Sequence, residues 1–376
     1  MTLAAPPSTS SRARKFDVVH ACGNARQVAD LLDAQATANI RAYVLSRPLL
    51  DSDSLIQSWN EVRKWRAQLD EYCGDPPFDS AGMLIHAHAF TAGMAAVRGQ
   101  LPAVYDVDQF IEQRSPDRNE RTWLARSLRA AEQFVLAQAA AVVVHAEHTK
   151  QLCAARGVES ERLFFIPHAA PLLPDTAAAD AFRRRLAIGR DEIAIFTEAL
   201  DAPLATALLE FRAEGHDVRL LLTESASATM PLLPHADRLA QISVSVSPDN
   251  HFAAISASDL VLAVGEEALV AGMTFGKPSL AADCALARSI SPDGAGLLWH
   301  RADDAQDRGR RLTYLLRERD FRDDLGASAR RFITERRSLE RIGKMYEEVY
   351  RFAIDRKKPA KPDAPTGPLI PVVAKL

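Results

Sequence analysis

The sequence predicts an α/β protein built as two Rossmann-like domains facing a cleft. Apolar, β-branched runs alternate with amphipathic helical segments from residue 16 onward. The alternation breaks in a stretch of Pro and small residues at 170–180 and then restarts. A chain of 376 residues is also longer than one small core usually holds. Strands that alternate with helices over such lengths imply parallel sheets joined by right-handed crossovers.

Residues 1–15, rich in Pro, Ser and Thr, are expected to be disordered. A strand is expected at FDVVHACG (16–23), a helix at 25–38, a second strand at RAYVLSRP (41–48) and a polar helix at 54–72. GMLIHAHAF (82–90) reads as a strand, TAGMAAVRG (91–99) as a helix and LPAVYDVDQF (101–110) as the next strand. In the helical segment 121–140, Leu124, Leu128, Ala131 and Val135 form one apolar stripe. AVVVHA (141–146) and ERLFFIPHA (161–169) complete a first domain over 16–170, and APLLPDTAAAD (170–180) reads as a linker. In a second domain over 171–356, strands are expected at 192–199, 217–225, 241–247, 259–265 and 277–283. Helices are expected at 203–215, closed by Gly215, and at 267–276. Polar closing helices follow, the last burying Ile342, Met345, Val349 and Phe352, and the Lys/Pro/Ala tail from Lys357 is expected to be disordered. In open parallel sheets ligands sit outside the C-terminal ends of the strands, so two facing edges make one cleft.

A formal net charge of −3 gives no general basis for nucleic-acid binding, which needs a clustered basic surface. Cys22, Cys73, Cys153 and Cys284 lie far apart with no C-x-x-C pair, which argues for reduced thiols rather than a zinc or disulfide framework. The N-terminus lacks an apolar signal region, and no run approaches the roughly 18 apolar residues of a membrane span. The expectation is a cytoplasmic protein, at most peripheral at the inner face of the membrane.

Three segments carry a family resemblance. FDSAGMLIHAHAFTAGMAAVRGQLPAVYDV (78–107) has the order strand, H-x-H, small-residue helix, strand. The stretch 131–171 runs through a strand and helix to an "IPNG"-like turn at IPHA (166–169). The stretch 256–304 has the order strand, helix, G-K-P, strand and a D-G-x-G-L-L turn. Together they resemble the retaining family 4 glycosyltransferases, and LGASARRFITERRSLERIGKMYEEVY (325–350) is similar to that family's closing helices. The resemblance implies the GT-B fold, a nucleotide-sugar donor bound by the second domain, an acceptor bound by the first, and metal-independent transfer.

The residues depart from the family pattern in chemically specific ways. Where the resemblance implies an Arg and a Lys holding the diphosphate, TEALDAPLAT (197–206) has Glu198 and Asp201 and no cation. The family's helix glutamate falls on Ala271, while Glu266 and Glu267 open the helix whose N-terminus would ordinarily receive a phosphate. On the acceptor side Asp108 stands where a histidine is often found, and His168 replaces the Asn of the turn.

Other motifs have ordinary readings. Asp106 and Asp108 form a D-x-D that could share a metal, although aspartates this close are common by chance. His86 and His88 share a strand face but lack a third ligand at diagnostic spacing, so satisfied polar groups are expected. His145 and His148 flank a strand end and read as surface or capping residues, and Lys277 in the G-K-P turn as structural. Arg114, Arg118 and Arg121 would form a basic helix face suited to an anionic headgroup or simply to solvent.

The expected site therefore has His88 and Asp108 as catalytic residues; Gly23, Asn24, Arg114 and His168 on the acceptor side; and Gly265, Glu266, Glu267 and Ala268 on the donor side. No metal ligands and no cofactor are expected, the nucleotide sugar being a substrate. The expected partners are that donor and a glycan or lipid-linked acceptor. The alternative is a catalytically degenerate homologue that binds a glycan or supports an active transferase.

Overall fold

The computed structural model describes residues 16–23, 28–38, 40–47, 55–74, 82–107, 110, 123–171 and 176–356. The segments expected to be disordered, and Asn24, Asp108, Arg114, Arg118 and Arg121, lie outside them. The chain divides into two compact units, Met1–His168 with Leu339–Leu376, and Ala169–Ser338.

In the first unit, β1 (Asp17–Cys22), β2 (Arg41–Ser46), β3 (Met83–Ala87), β4 (Ala103–Val107), β5 (Ala141–Val144) and β6 (Leu163–Phe165) form one parallel sheet in the order β2-β1-β3-β4-β5-β6. Its described helices are α1 (Ala29–Thr37), α2 (Leu55–Gly74), α3 (Phe90–Val97), α4 (Trp123–Gln138) and α5 (Glu147–Ala155). The central strands are covered on both faces, which is why AVVV and MLIHA read as continuous runs without polar alternation. Of the predicted α4 stripe, Leu128 and Val135 are buried against the sheet. A Cβ on Gly93 of α3 would lie 2.9 Å from the Tyr105 ring, so the small residue sets how closely α3 approaches β4.

The second unit has β7 (Ile193–Thr197), β8 (Val218–Thr223), β9 (Ser243–Val246), β10 (Leu260–Ala263), β11 (Ser279–Asp283) and β12 (Leu297–Arg301), parallel in the order β12-β11-β10-β7-β8-β9. Its helices are α6 (Thr176–Arg185), α7 (Ala202–Ala213), α8 (Glu224–Thr229), α9 (Ala236–Ala240), α10 (His251–Ala257), α11 (Glu266–Thr274), α12 (Ala285–Ile290), α13 (Ala305–Arg317) and α14 (Arg319–Arg337). Helix α6 corrects the linker reading over 176–180, while 172–175 lie outside the described residues; its weak apolar pattern leaves Phe182 as its only buried residue. β12 also goes beyond the predicted strands, because the glycine-rich D-G-x-G turn before it obscures its start.

The last helix, α15 (Leu339–Asp355), belongs to the first unit, not to the second domain where the sequence reading placed it. It packs on α1, and a Cβ on Gly343 would fall on the carbonyl oxygen of Ala34. Its buried face is Ile342, Tyr346, Val349, Tyr350 and Ala353, with the expected Met345 and Phe352 only half-buried. Tyr346 and Tyr350, not among the expected buried residues, turn inward.

Each sheet reverses strand order once, between β1 and β3 in the first and between β7 and β10 in the second. Such switch points are where doubly wound sheets bind ligands, beyond the carboxyl ends of the strands. Among the described residues no helix is long and apolar enough to cross a membrane.

Candidate functional site

The switch point of the first sheet is filled by histidines. His20 in β1 is the register partner of His86 in β3, and both are fully buried. His88 follows β3, Asp106 lies in β4 and His145 follows β5, so adjacent parallel strands deliver them to one end of the sheet. Asp106 is the hub. Its Oδ2 lies 3.0 Å from Nδ1 of His88 and 3.7 Å from Nε2 of His86, and its Oδ1 lies 2.9 Å from Nε2 of His145. His145 Nδ1 donates to the Ile166 carbonyl at 2.6 Å, and the exposed His168 ring stacks on His145 at 4.2 Å. His145 is thus buried and paired, which corrects its reading as a surface or cap residue.

Beneath this hub the network continues. His88 Nε2 and His20 Nδ1 are 2.9 Å apart, and His20 Nε2 lies 2.9 Å from Oε1 of Gln35 on α1. The Gln35 amide donates to the Tyr350 hydroxyl at 2.5 Å, and that hydroxyl lies 2.9 Å from His86 Nδ1. With the amide oxygen on His20, His20 donates from Nε2 and accepts from His88 at Nδ1; turning the Gln35 amide by half a rotation reverses these donors.

Burial opposes ionisation of Asp106, but His145 and His88 outweigh it and hold its carboxyl well below the usual range. Burial, with His88 next in weight, lowers His20 to about 3, and burial together with the neighbouring rings lowers His86 well below its ordinary value. A ring whose folded pKa is depressed leaves the unfolded chain binding more protons as pH falls below about 6.5. Stability is therefore expected to fall from about pH 6.5 down to about 3, the folded value of His20, by up to about 1.4 kcal/mol per pH unit for each such ring. Urea unfolding from pH 7 to pH 4 checks this, with the slope reduced in His20→Gln.

The ligating atoms of His20, His86 and His88 lie within 4.8 Å of one another, close enough to share a metal ion. As they stand, His20 and His88 bond directly to each other, and His86 Nε2 is buried without a hydrogen-bond partner.

At the second sheet's switch point the central group is Glu198, just after β7. Its Oε2 accepts from the backbone N–H groups of Val264 and Gly265, both at 2.7 Å, at the start of α11. A Cβ on Gly265 would lie 3.2 Å from Glu198 Oε1, so a larger residue would crowd this approach. The free amides and positive dipole end of a helix N-terminus are thus occupied by a carboxylate from the same unit. Glu266, expected to repel an anion here, is instead bonded at 2.7 Å to Arg337, itself only 4% exposed. Glu267 is exposed, whereas Ala268 and Ala271 are buried in the core beneath.

A second cation reaches this edge. Arg308 of α13 pairs with Asp201, whose other oxygen caps α7 by accepting from Leu204 N at 3.0 Å. Arg308 lines a cavity of about 190 Å³ with Ala199, Val264, Cys284 and His300, and its Nε is buried without a partner. The 197–206 segment lacks a cation of its own, but α13 and α14 supply arginines that no local motif reveals. The sequence reading thus placed His88 and His168 in the first cluster, with Gly23 half-buried just past β1, and Gly265 and Glu266 in the second. It missed His20, Gln35, Tyr350, Arg308 and Arg337, whose partners are remote in sequence.

Two parallel six-stranded sheets with flanking helices give the chain the GT-B fold. Residues 9–169 match the glycosyl transferase 4-like domain. HepE of Anabaena, solved with UDP and glucose, is similar at 14% identity and a TM-score of 0.63, over 89% of this chain and 98% of that one. Sucrose-phosphate synthase of Thermosynechococcus elongatus is similar at 15% identity and a TM-score of 0.63, over 89% and 98% of the two chains. UDP-GlcNAc 2-epimerase of Neisseria meningitidis, bound to UDP-GlcNAc, is similar at 11% identity and a TM-score of 0.59, over 89% and 99%. No curated protein matches the sequence. A synthase and an epimerase on one fold show why activity must be argued from the site.

Proposed function

We propose that this protein is a glycosyltransferase that moves a sugar from a nucleotide-sugar donor to a hydroxyl of a glycan or lipid-linked acceptor, with retention of configuration and without a resident metal or cofactor. The observation that carries the proposal is the anion seat at Val264 and Gly265, which already binds one oxyanion, that of Glu198. A donor phosphate that displaces Glu198 meets the same amides and helix dipole, with Arg308 at the adjoining cavity. The sugar C1–phosphate bond breaks, a bond from the acceptor oxygen to C1 forms, and the hydroxyl proton leaves with the nucleoside diphosphate. Electrostatic stabilisation of that departing charge is the main contribution asked of the second unit. His88, held by Asp106, lines the acceptor side. Asp106 is engaged by two imidazoles, which leaves the D-x-D pair without a free first carboxylate for a metal. The donor class is supported by the UDP-bound neighbours of the same fold.

Glu198 also supports a second reading, a homologue whose donor seat is permanently closed and which binds a glycan or an active partner. A thermal-shift screen against nucleotide sugars and nucleoside diphosphates separates the two. A ligand at a hundred times its Kd stabilises the folded state by about 2.7 kcal/mol. A shift with one donor class supports transfer, and no shift with any donor at millimolar concentration supports the closed seat.

A further inference from the structure

The second unit carries a basic groove at the opposite end of its sheet from the donor seat. Lys277 lies in the turn before β11 and Asp259 just before β10, at the amino ends of these strands. A groove of about 690 Å³ runs between this turn and α14, and an adjoining one of about 490 Å³ runs toward α6; Phe275, Lys277 and Arg330 line both.

The cations of this groove fall into two groups. Arg183 and Arg322 are structural: Arg183 bonds to the carbonyls of Ala257, Gly189 and Glu192 and to Asp259, and Arg322 to the carbonyls of Leu315 and Leu316. Lys277, Arg190, Arg330 and Arg331 make no side-chain hydrogen bond or ion pair among the described residues. Lys277 is half-buried, and Gly276, whose left-handed backbone (φ +71°) makes the turn, lies beside Arg330. The lining acids are Asp259, already bound to Arg183, Asp323, near Arg319, and Asp180. In a chain of net charge −3, four uncommitted cations along a concave surface are a local excess.

We propose that this groove binds a multiply charged phosphate group, separately from the donor. One carboxylate would leave most of these cations unmatched, whereas a phosphate or diphosphate offers several oxygens to guanidinium forks and an ammonium. The half-buried Phe275 gives the groove an apolar wall beside the charged one. The phosphate comes from a soluble phosphorylated molecule or from an anionic lipid headgroup.

Two assays on the full chain distinguish these sources: calorimetric titration with inorganic pyrophosphate, and co-sedimentation with phosphatidylcholine vesicles with and without phosphatidylglycerol. The variants are Lys277→Ala and the exposed pair Arg330→Glu with Arg331→Glu. Pyrophosphate binding that weakens at least about tenfold in both variants, and weakens with added salt, supports a soluble ligand. Sedimentation only with phosphatidylglycerol, lost in both variants, supports a headgroup. If the wild type binds neither probe, or if both variants bind as the wild type does, the proposal is wrong. Melting temperatures within a degree or so of wild type keep the exposed pair interpretable as a charge effect.

Discussion

Replacing Asp106 with alanine is expected to destabilise the folded protein by about 3–5 kcal/mol, as breaking a buried charge pair does. Transfer is expected to slow by at least about a hundredfold. The carboxylate is buried between His88 at 3.0 Å and His145 at 2.9 Å, and removing it leaves two rings facing a cavity. His145 keeps the Ile166 carbonyl but loses its carboxylate partner, and His88 loses the carboxylate at its Nδ1. Asp106→Asn keeps the volume and loses the charge, so a smaller stability loss is expected than with alanine. The pH dependence has a definite sign. The folded pKa of Asp106 is depressed, so its contribution is complete above the unfolded carboxylate pKa of about 3.9 and is lost as pH falls through the folded value. Asp106→Asn should therefore lose stability mainly above pH 4 and converge on the wild type in stronger acid. Urea unfolding over this range reads the stability, and turnover at neutral pH reads the rate.

Glu198→Gln is expected to tighten nucleoside diphosphate binding by about ten- to a hundredfold, because hydrogen bonds to a charged group contribute about 1.5–3 kcal/mol and the donor must displace this one. The amide still accepts from Val264 and Gly265 but no longer matches the helix dipole, so a stability loss of about 1 kcal/mol or less should accompany the gain. The rate at saturating donor should change little, since Glu198 has left the seat by then. Calorimetry on both proteins checks the affinity, and an unchanged Kd would remove Glu198 as a competitor for the site.

The strands were legible because most are short β-branched or apolar runs covered on both faces, and a run such as AVVV has few alternatives. Helix α6 was not, since TAAAD has the composition of a linker and only Phe182 marks a buried face. The docking of α15 on the first unit could not be read locally: Gln35 and His86, distant in sequence, supply the hydrogen-bond partners of Tyr350, and the His86 ring packs beside Tyr346. The site divides in the same way. His88, Gly265 and Glu266 carry motif-level signals. His20, Arg308 and Arg337 do not, because each works through a partner brought near by the sheet order or by helix packing. Glu198 is visible in the sequence as an acid after β7, but only the structure shows that it accepts hydrogen bonds from the backbone amides of Val264 and Gly265.

The central claim is sugar transfer from a nucleotide donor. Its most direct measurement is the release of nucleoside diphosphate from a panel of UDP-, GDP- and ADP-sugars, with and without a mixed glycan and glycolipid acceptor fraction, in the wild type and in Glu198→Gln. Release is expected from one donor class, rising with acceptor, yielding a sugar-labelled product, and requiring less donor in Glu198→Gln. No release above the rate without protein from any donor, in both proteins and with acceptor present, would contradict it.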